Sequence, residues 1–367
     1  MHVPDGFINA PVSLATGAVA AAALAISLRG ARREPAAGPA TALGPHPEST
    51  APLAGLVAAF VFATQMLNFP VAAGTSGHLL GGALAAILVG PFTGVLCLSV
   101  VLLTQSLLFA DGGLTALGVN IVLMGVVTVA VAYGIFRALL AVLPRARRSV
   151  TAASFAAALI SVPASAAAFT LLHAVGGTTD VPTGTVLAAM TGVHTLIGLG
   201  EGVITALTVG AVLAVRPDLV HGARGLAPAL KLRVGGRLVD ATTVTAPAPA
   251  SSPASAASSR RIRLAGLAAA LVLAGGVSFY ASASPDGLEK VAADHGIDAE
   301  VRDHPAAGSP LADYGVADIT DPRLSVGLAG VIGVGATAAV GIGLFRLTAR
   351  RRRRARRRRP ARAPETL

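Results

Sequence analysis

Apolar residues run along this chain in blocks of about 20, broken by short stretches rich in Pro, Gly, Arg or Asp. Setting the blocks against their breakers predicts seven spans, at about 10–29, 52–69, 78–90, 91–109, 115–142, 150–174 and 185–214. Two more follow at about 262–282 and 324–346. Helices that cross the hydrocarbon core need roughly 20 apolar residues. The stretch 78–109 is either one helix of about 48 Å at 1.5 Å per residue, or two passes turned at Gly90-Pro91.

Charge decides between them. With two passes and the amino terminus outside, the inward segments collect Arg29, Arg32 and Arg33; Arg137, Arg145, Arg147 and Arg148; the basic residues from Arg216 to Arg263; and the Arg-rich tail. That places 26 of the 29 Lys and Arg residues on one side, as the positive-inside rule requires. One fused pass puts the Arg145–Arg148 cluster on the wrong side. Of the 18 acidic residues, 12 then fall outside, including Asp5, Asp111, Asp180 and the cluster from Asp286 to Asp321, a surface that concentrates arriving cations.

Composition agrees with the pattern: 53% hydrophobic and 13% charged residues, no tryptophan, and a mean hydropathy of +0.70 exclude an ordinary soluble domain. The single cysteine, Cys97, excludes a disulfide framework and reads as packing. Arg29, Arg32 and Arg33 follow the first apolar run instead of preceding it, so no cleaved leader is expected. The expected fold is an all-α polytopic membrane protein of nine spans, amino terminus outside and carboxyl terminus cytoplasmic. A seven-helix unit occupies 1–216 and a flexible cytosolic linker 217–261. A two-span unit follows at 262–347, with an outward loop at 284–321, and the Arg-rich cytosolic tail is 348–367. That tail, RRRRRARRRR from Arg350 to Arg359, fixes topology and holds anionic lipid; a nucleic-acid partner is not expected.

The chemistry begins at Met1-His2. An amino nitrogen, the His2 amide and the His2 imidazole can close two fused rings on a divalent ion, supplying three in-plane nitrogens of the kind that suits Ni(II) or Co(II). His78 follows the Gly-rich turn Gly74-Thr75-Ser76-Gly77 and opens a short pass, where its imidazole can supply the fourth nitrogen. Asn68, Thr75 and Ser76 are candidates to orient those ligands; Asn68 alternatively caps the second span. His194 and Glu201, seven apart on one face of the seventh span, form either a polar relay under the metal or a packing lock. His173 reads as interfacial. In the outward loop, His295 and His304 lie among carboxylates and either load metal or belong to a solvated acidic loop. Ala51, Gly55, Ala59 and Ala63 make a small-residue ridge that permits close helix approach.

These residues sit in stretches that resemble a known family. MHVPDGF at the start, QMLNFPVAAGTSGHLLGGALAAILVGP from Gln65, QSLLFADGGLTALGVNIVLMG from Gln105 and GVHTLIGLGEGVIT from Gly192 are similar to the CbiM/NikM family, the substrate-capturing membrane components of cobalt and nickel energy-coupling-factor (ECF) ABC transporters. Ser284-Pro285-Asp286-Gly287-Leu288-Glu289 resembles the PDGLE signature of the small CbiN/NikN subunit, so the chain looks like a fusion of the two. The resemblance implies an S-component-like bundle. It also implies a square-planar metal held by Met1, His2 and His78, and small-residue docking to a CbiQ/NikQ-like transmembrane coupling subunit that sits on CbiO/NikO-like ATPases. Ala72-Ala73 departs from the family, where a glycine is common.

The sequence therefore points to a component of ATP-driven cobalt or nickel uptake, not an enzyme, with Ni(II) or Co(II) as substrate and no organic cofactor. No phosphate-binding Gly-x-x-x-x-Gly-Lys-Ser/Thr loop is present, so ATP hydrolysis falls to separate subunits. Two alternatives are an intramembrane metalloenzyme using His194 and Glu201, weakened by the lack of an HExxH pair, and a metal sensor, weakened by the lack of a folded cytosolic domain.

Overall fold

The computed structural model describes residues 1–34, 50–72, 74–224, 231–234, 237–240 and 253–357. They form α1 (Ala10–Gly30), α2 (Thr50–Gln65), the antiparallel pair β1 (Phe69–Ala72) and β2 (Thr75–Gly77), α3 (Gly82–Val89) and α4 (Pro91–Leu108). Next comes one continuous helix from Leu117 to Val142, made of α5 (Leu117–Asn120), a π-helical stretch Ile121–Val127 and α6 (Thr128–Val142). Then follow α7 (Arg147–Gly176), α8 (Thr183–Val215), the hairpin β3 (Lys231–Val234) and β4 (Arg237–Asp240), α9 (Pro253–Gly275), α10 (Gly287–His295) and α11 (Pro322–Arg357).

Seven helices among the described residues are long and apolar enough to cross a membrane, and α2 adds a shorter apolar one. The expected pass at 78–90 is shorter than its apolar run. Only the eight residues of α3 are helical, about 12 Å at 1.5 Å per residue, while His78 to Gly81 is unwound. The reason lies in distant side chains. Leu80 and Gly81 donate their N–H groups to Glu201 Oε2 and Oε1 at 2.7 and 3.1 Å, and Leu80 O accepts from Gln65 Nε2 at 2.9 Å. Non-helical backbone at membrane depth survives only where protein groups satisfy it in this way. Gly81, at φ +85°, makes the left-handed turn into α3.

Pro91 opens α4 at a position where its missing N–H costs nothing. Glu34 accepts from Phe92 N at 2.8 Å and Thr93 N at 3.0 Å, covering that helix start. Gly55, within the small-residue ridge on α2, packs against the chain's own α11. A Cβ on Gly55 would lie 2.5 Å from Ile342 Cγ1, and one on Gly341 3.0 Å from Gly55 Cα. Within 217–261, expected as a flexible linker, the described residues include the β3–β4 hairpin and the first residues of α9. Its alternation KLRV…RLVD about Gly235-Gly236 is a hairpin signal. Residues 358–367 of the Arg-rich tail lie outside the described residues, and α11 runs into it as far as Arg357.

Candidate metal site

Residues 1–9 are drawn into the protein. Val3 N donates to Asn120 Oδ1 at 2.8 Å, while Val3 O accepts from Asn120 Nδ2 and Gly113 N, each at 3.0 Å. The Asp5 carboxylate accepts from Thr115 N at 2.8 Å, Leu114 N at 3.2 Å and Thr115 Oγ1 at 2.5 Å, and Asp5 O accepts from Arg302 N at 2.9 Å. Gly6, at φ +99°, passes so close to Glu300 that a Cβ would sit 2.0 Å from its carbonyl oxygen; no other residue fits. Ile8 bridges to Gly177, and Asn9 caps α1 by accepting from Val12 N. The result leaves Met1 only 2% exposed.

At the end of this inserted segment the predicted donors meet. Met1 N lies 2.8 Å from His78 Nε2, and the His2 and His78 rings stack at 5.1 Å with 22° between planes. Four nitrogens about 2.0 Å from a central ion form a square with edges of about 2.8 Å, so the amine and His78 stand one edge apart.

The lone pairs are fixed by a chain of hydrogen bonds. Leu80 O can only accept, so Gln65 presents Nε2 to it and Oε1 to Gln105; Gln105 then presents Nε2 to Gln65 at 2.9 Å and Oε1 to His2 Nε2 at 3.1 Å. His2 must therefore donate from Nε2, leaving Nδ1, the chelating nitrogen, with a free pair. His78 Nδ1 donates to Leu79 O at 3.1 Å, which frees Nε2. Partners of this kind set tautomer and ring orientation in metal sites.

Two carboxylates flank the nitrogens. Asp286 Oδ2 is 2.6 Å from the Met1 ammonium and 3.5 Å from His78 Nε2. Asp111 Oδ1 is 3.1 Å from His2 Nδ1, and Asp111 Oδ2 accepts from the Tyr314 hydroxyl at 2.5 Å. Burial pushes the His2 imidazole down to about 4, although Asp111 opposes the shift. A neutral His2 thus turns a lone pair toward a carboxylate oxygen, a clash of acceptors that a cation at Nδ1 relieves. Burial works to raise Asp286, but the adjacent ammonium and His78 outweigh it and hold this carboxyl well below the usual range. A cavity of about 650 Å³ opens beside these groups, lined by His2, His78, Asn68, Asp111, Asp286 and Tyr314 among others. Among the described residues no group of three or more His, Cys, Asp or Glu side chains can hold a metal ion; the donor set here includes main-chain nitrogen.

The other predicted residues take different places. Ser76 binds the 284–285 backbone, its N donating to Pro285 O at 2.8 Å and its Oγ to Ser284 O at 2.7 Å. Thr75 is buried in β2, and Asn68 O accepts from Ser282 N at 2.7 Å. Glu201 is occupied with the Leu80–Gly81 backbone, not with His194. His194 Nδ1 donates to Met190 O at 2.8 Å, and its buried Nε2 has no hydrogen-bond partner among the described residues. His295 is exposed at the end of α10. His304 accepts at Nδ1 from Ala306 N at 2.9 Å and faces Gly112 O through Nε2 at 3.3 Å, so neither nitrogen offers a free pair. Gln65, Gln105, Asn120 and Tyr314 emerge only here, and Asp111 and Asp286, read from the sequence as part of the acidic outer face, turn out to flank the nitrogens. Polar side chains at the ends of apolar runs, such as Gln65, Gln105 and Asn120, were the available signal.

Residues 2–219 match the family model described as the cobalt uptake substrate-specific transmembrane region, and residues 260–350 match the PDGLE domain. A putative metal transport protein of Haloquadratum walsbyi is 39% identical over 60% of this chain and 93% of its own length. A putative fused nickel transport protein NikMN of Archaeoglobus fulgidus is 40% identical over 60% of this chain and 68% of its own. A cobalt transport protein CbiM of Sorangium cellulosum is 37% identical over 46% of this chain and 76% of its own.

Proposed function

The chain belongs to the CbiM family of cobalt-uptake substrate-specific membrane proteins, carries a PDGLE domain, and is a cobalt/nickel transport component; from that premise we propose that it captures Ni(II) or Co(II) outside the cell through its amino terminus. The Met1 amine, the His2 amide, His2 Nδ1 and His78 Nε2 are the four ligands. The observation that carries this reading is the 2.8 Å approach of Met1 N to His78 Nε2, with both imidazole lone pairs freed by Gln105 and Leu79.

Capture is an exchange of charge. A divalent cation enters, and the amine and the amide each give up a proton. Two positive charges arrive and two leave, so the buried site keeps its net charge. Asn120 and Asp5 hold the inserted segment, while the relay from Leu80 O through Gln65 and Gln105 keeps His2 chelation-ready. The acidic outer face concentrates cations at the cavity mouth.

The same reading assigns import driven by ATP. The chain works with a transmembrane coupling subunit and cytosolic ATPases, with its amino terminus outside and its carboxyl terminus in the cytoplasm. Metal titration of the purified protein should give one Ni(II) or Co(II) per chain. Uptake in cells should require the coupling and ATPase subunits; uptake that persists without them refutes the ATP-driven reading.

A further inference from the structure

Asp286 lies far from Met1 in sequence yet shares its pocket. Its two oxygens have separate tasks. Oδ1 accepts from Leu288 N at 2.7 Å and Glu289 N at 2.9 Å, capping α10, and Glu289 Oε2 accepts from Asp286 N at 2.8 Å. This capping box fixes the side chain. The preceding carbonyls of Ser284 and Pro285 are held by Ser76, two residues before His78. Oδ2 is left free of the cap and points at the shared edge of the Met1 amine and His78 Nε2.

A divalent ion bound by two imidazoles, an amine and a deprotonated amide keeps one net positive charge in a buried place, where the ammonium stood before it. Uncompensated charge there is costly. Asp286 already neutralises the ammonium in the empty site, and without moving it can neutralise the cation that replaces it. Asp111 stands at the opposite ligand, His2, with one oxygen held by Tyr314.

We propose that Asp286 of the PDGLE segment is the fixed counter-ion of the captured metal, an affinity-determining residue that the PDGLE domain contributes to the other domain's site. This rests on the Met1–His2–His78 reading. It makes the two units one binding site, with the C-terminal unit supplying charge and the N-terminal unit supplying nitrogen.

The test is metal titration of the full chain with Ni(II) and Co(II). Asp286→Asn and Asp286→Ser both keep a side chain able to cap α10 while removing the charge, so the second stands in if the first fails to fold. Each should weaken binding at least about tenfold, or 1.4 kcal/mol. Lys290→Gln changes a charge on α10, where Lys290 pairs with Asp294, without touching Asp286 or its cap, and should stay within about threefold of the parent. The proposal is overturned if the Asp286 variants bind within about twofold of the parent, or if Lys290→Gln falls as far as they do. An amino-terminal extension that leaves parental affinity intact overturns instead the underlying ligand assignment, whatever the Asp286 variants show.

Discussion

Adding one glycine before Met1 converts the proposed amine ligand into a peptide nitrogen and moves the charged terminus one residue outward. Whatever room the adjoining cavity gives the added residue, the nitrogen at this position is then no longer a terminal amine. Met1 is 2% exposed, and its nitrogen is wedged 2.6 Å from Asp286 and 2.8 Å from His78. Structural four-ligand zinc sites bind with about 10–16 kcal/mol, so one donor of four accounts for about 2.5–4 kcal/mol on that scale. Loss of the ammonium also leaves Asp286 buried without its partner, a defect of about 3–5 kcal/mol in comparable pairs. To return a terminal amine to this place the segment has to shift by one residue, giving up the bonds of Val3 to Asn120 and Gly113 and of Asp5 to Thr115. Affinity for Ni(II) and Co(II) should therefore fall by at least about 100-fold. Calorimetric titration of detergent-purified protein reads the loss, intact mass verifies the terminus, and a melting curve verifies the fold. Unchanged affinity in a folded, extended chain refutes the reasoning.

Gln105→Leu removes the acceptor that fixes the His2 tautomer and strands Gln65 Oε1; metal affinity should drop about 10- to 100-fold, and parental affinity would show that the relay is incidental. Glu201→Gln sets an NH2 donor against one of the Leu80 and Gly81 N–H groups and should lower stability by about 1–3 kcal/mol, read as a lower melting temperature with loosened metal binding through displacement of His78. Metal affinity should rise with pH by about two log units per pH unit as the amine and amide protons leave, without a third proton from His2 above about pH 5, because its pKa is already down at about 4; a slope of three there excludes this assignment. The same depressed pKa has a stability consequence in the metal-free protein. The folded value lies below the ordinary 6.5, so the unfolded chain binds more protons between the two. The His2 contribution to stability should fall by about 3 kcal/mol as pH drops from 6.5 toward 4, and the melting profile of His2→Asn should lose that part of its slope in the window.

Local pattern was enough to place the long helices, since their apolar runs and breakers lie within a few dozen residues: Asn9 and Pro11 start α1, and Gly90-Pro91 parts α3 from α4. It also singled out Met1, His2 and His78, which the fold brings together, because each stands in a short, chemically distinctive stretch. What it missed depends on pairings across more than a hundred positions. The run after His78 is as apolar as a helix, and nothing local says that it stays unwound as far as Gly81. That follows from Glu201, 121 residues from Leu80, offering two oxygens to its backbone. The same carboxylate read as a partner for His194 because both fall on one helical face, yet a face groups residues without saying what meets them. Likewise the ridge at Gly55 is complementary to any small-residue helix, and at Gly55 it is α11 of the same chain that packs against it. Asp286 is the sharpest case. Its motif announces a helix cap, which it is, but one carboxylate has two oxygens, and capping engages only Oδ1. The direction of Oδ2 is set by how the 284–285 backbone hangs on Ser76, more than 200 positions away. A residue with a complete local explanation can therefore still face a distant site, and only the fold reveals which of its atoms remain to be explained.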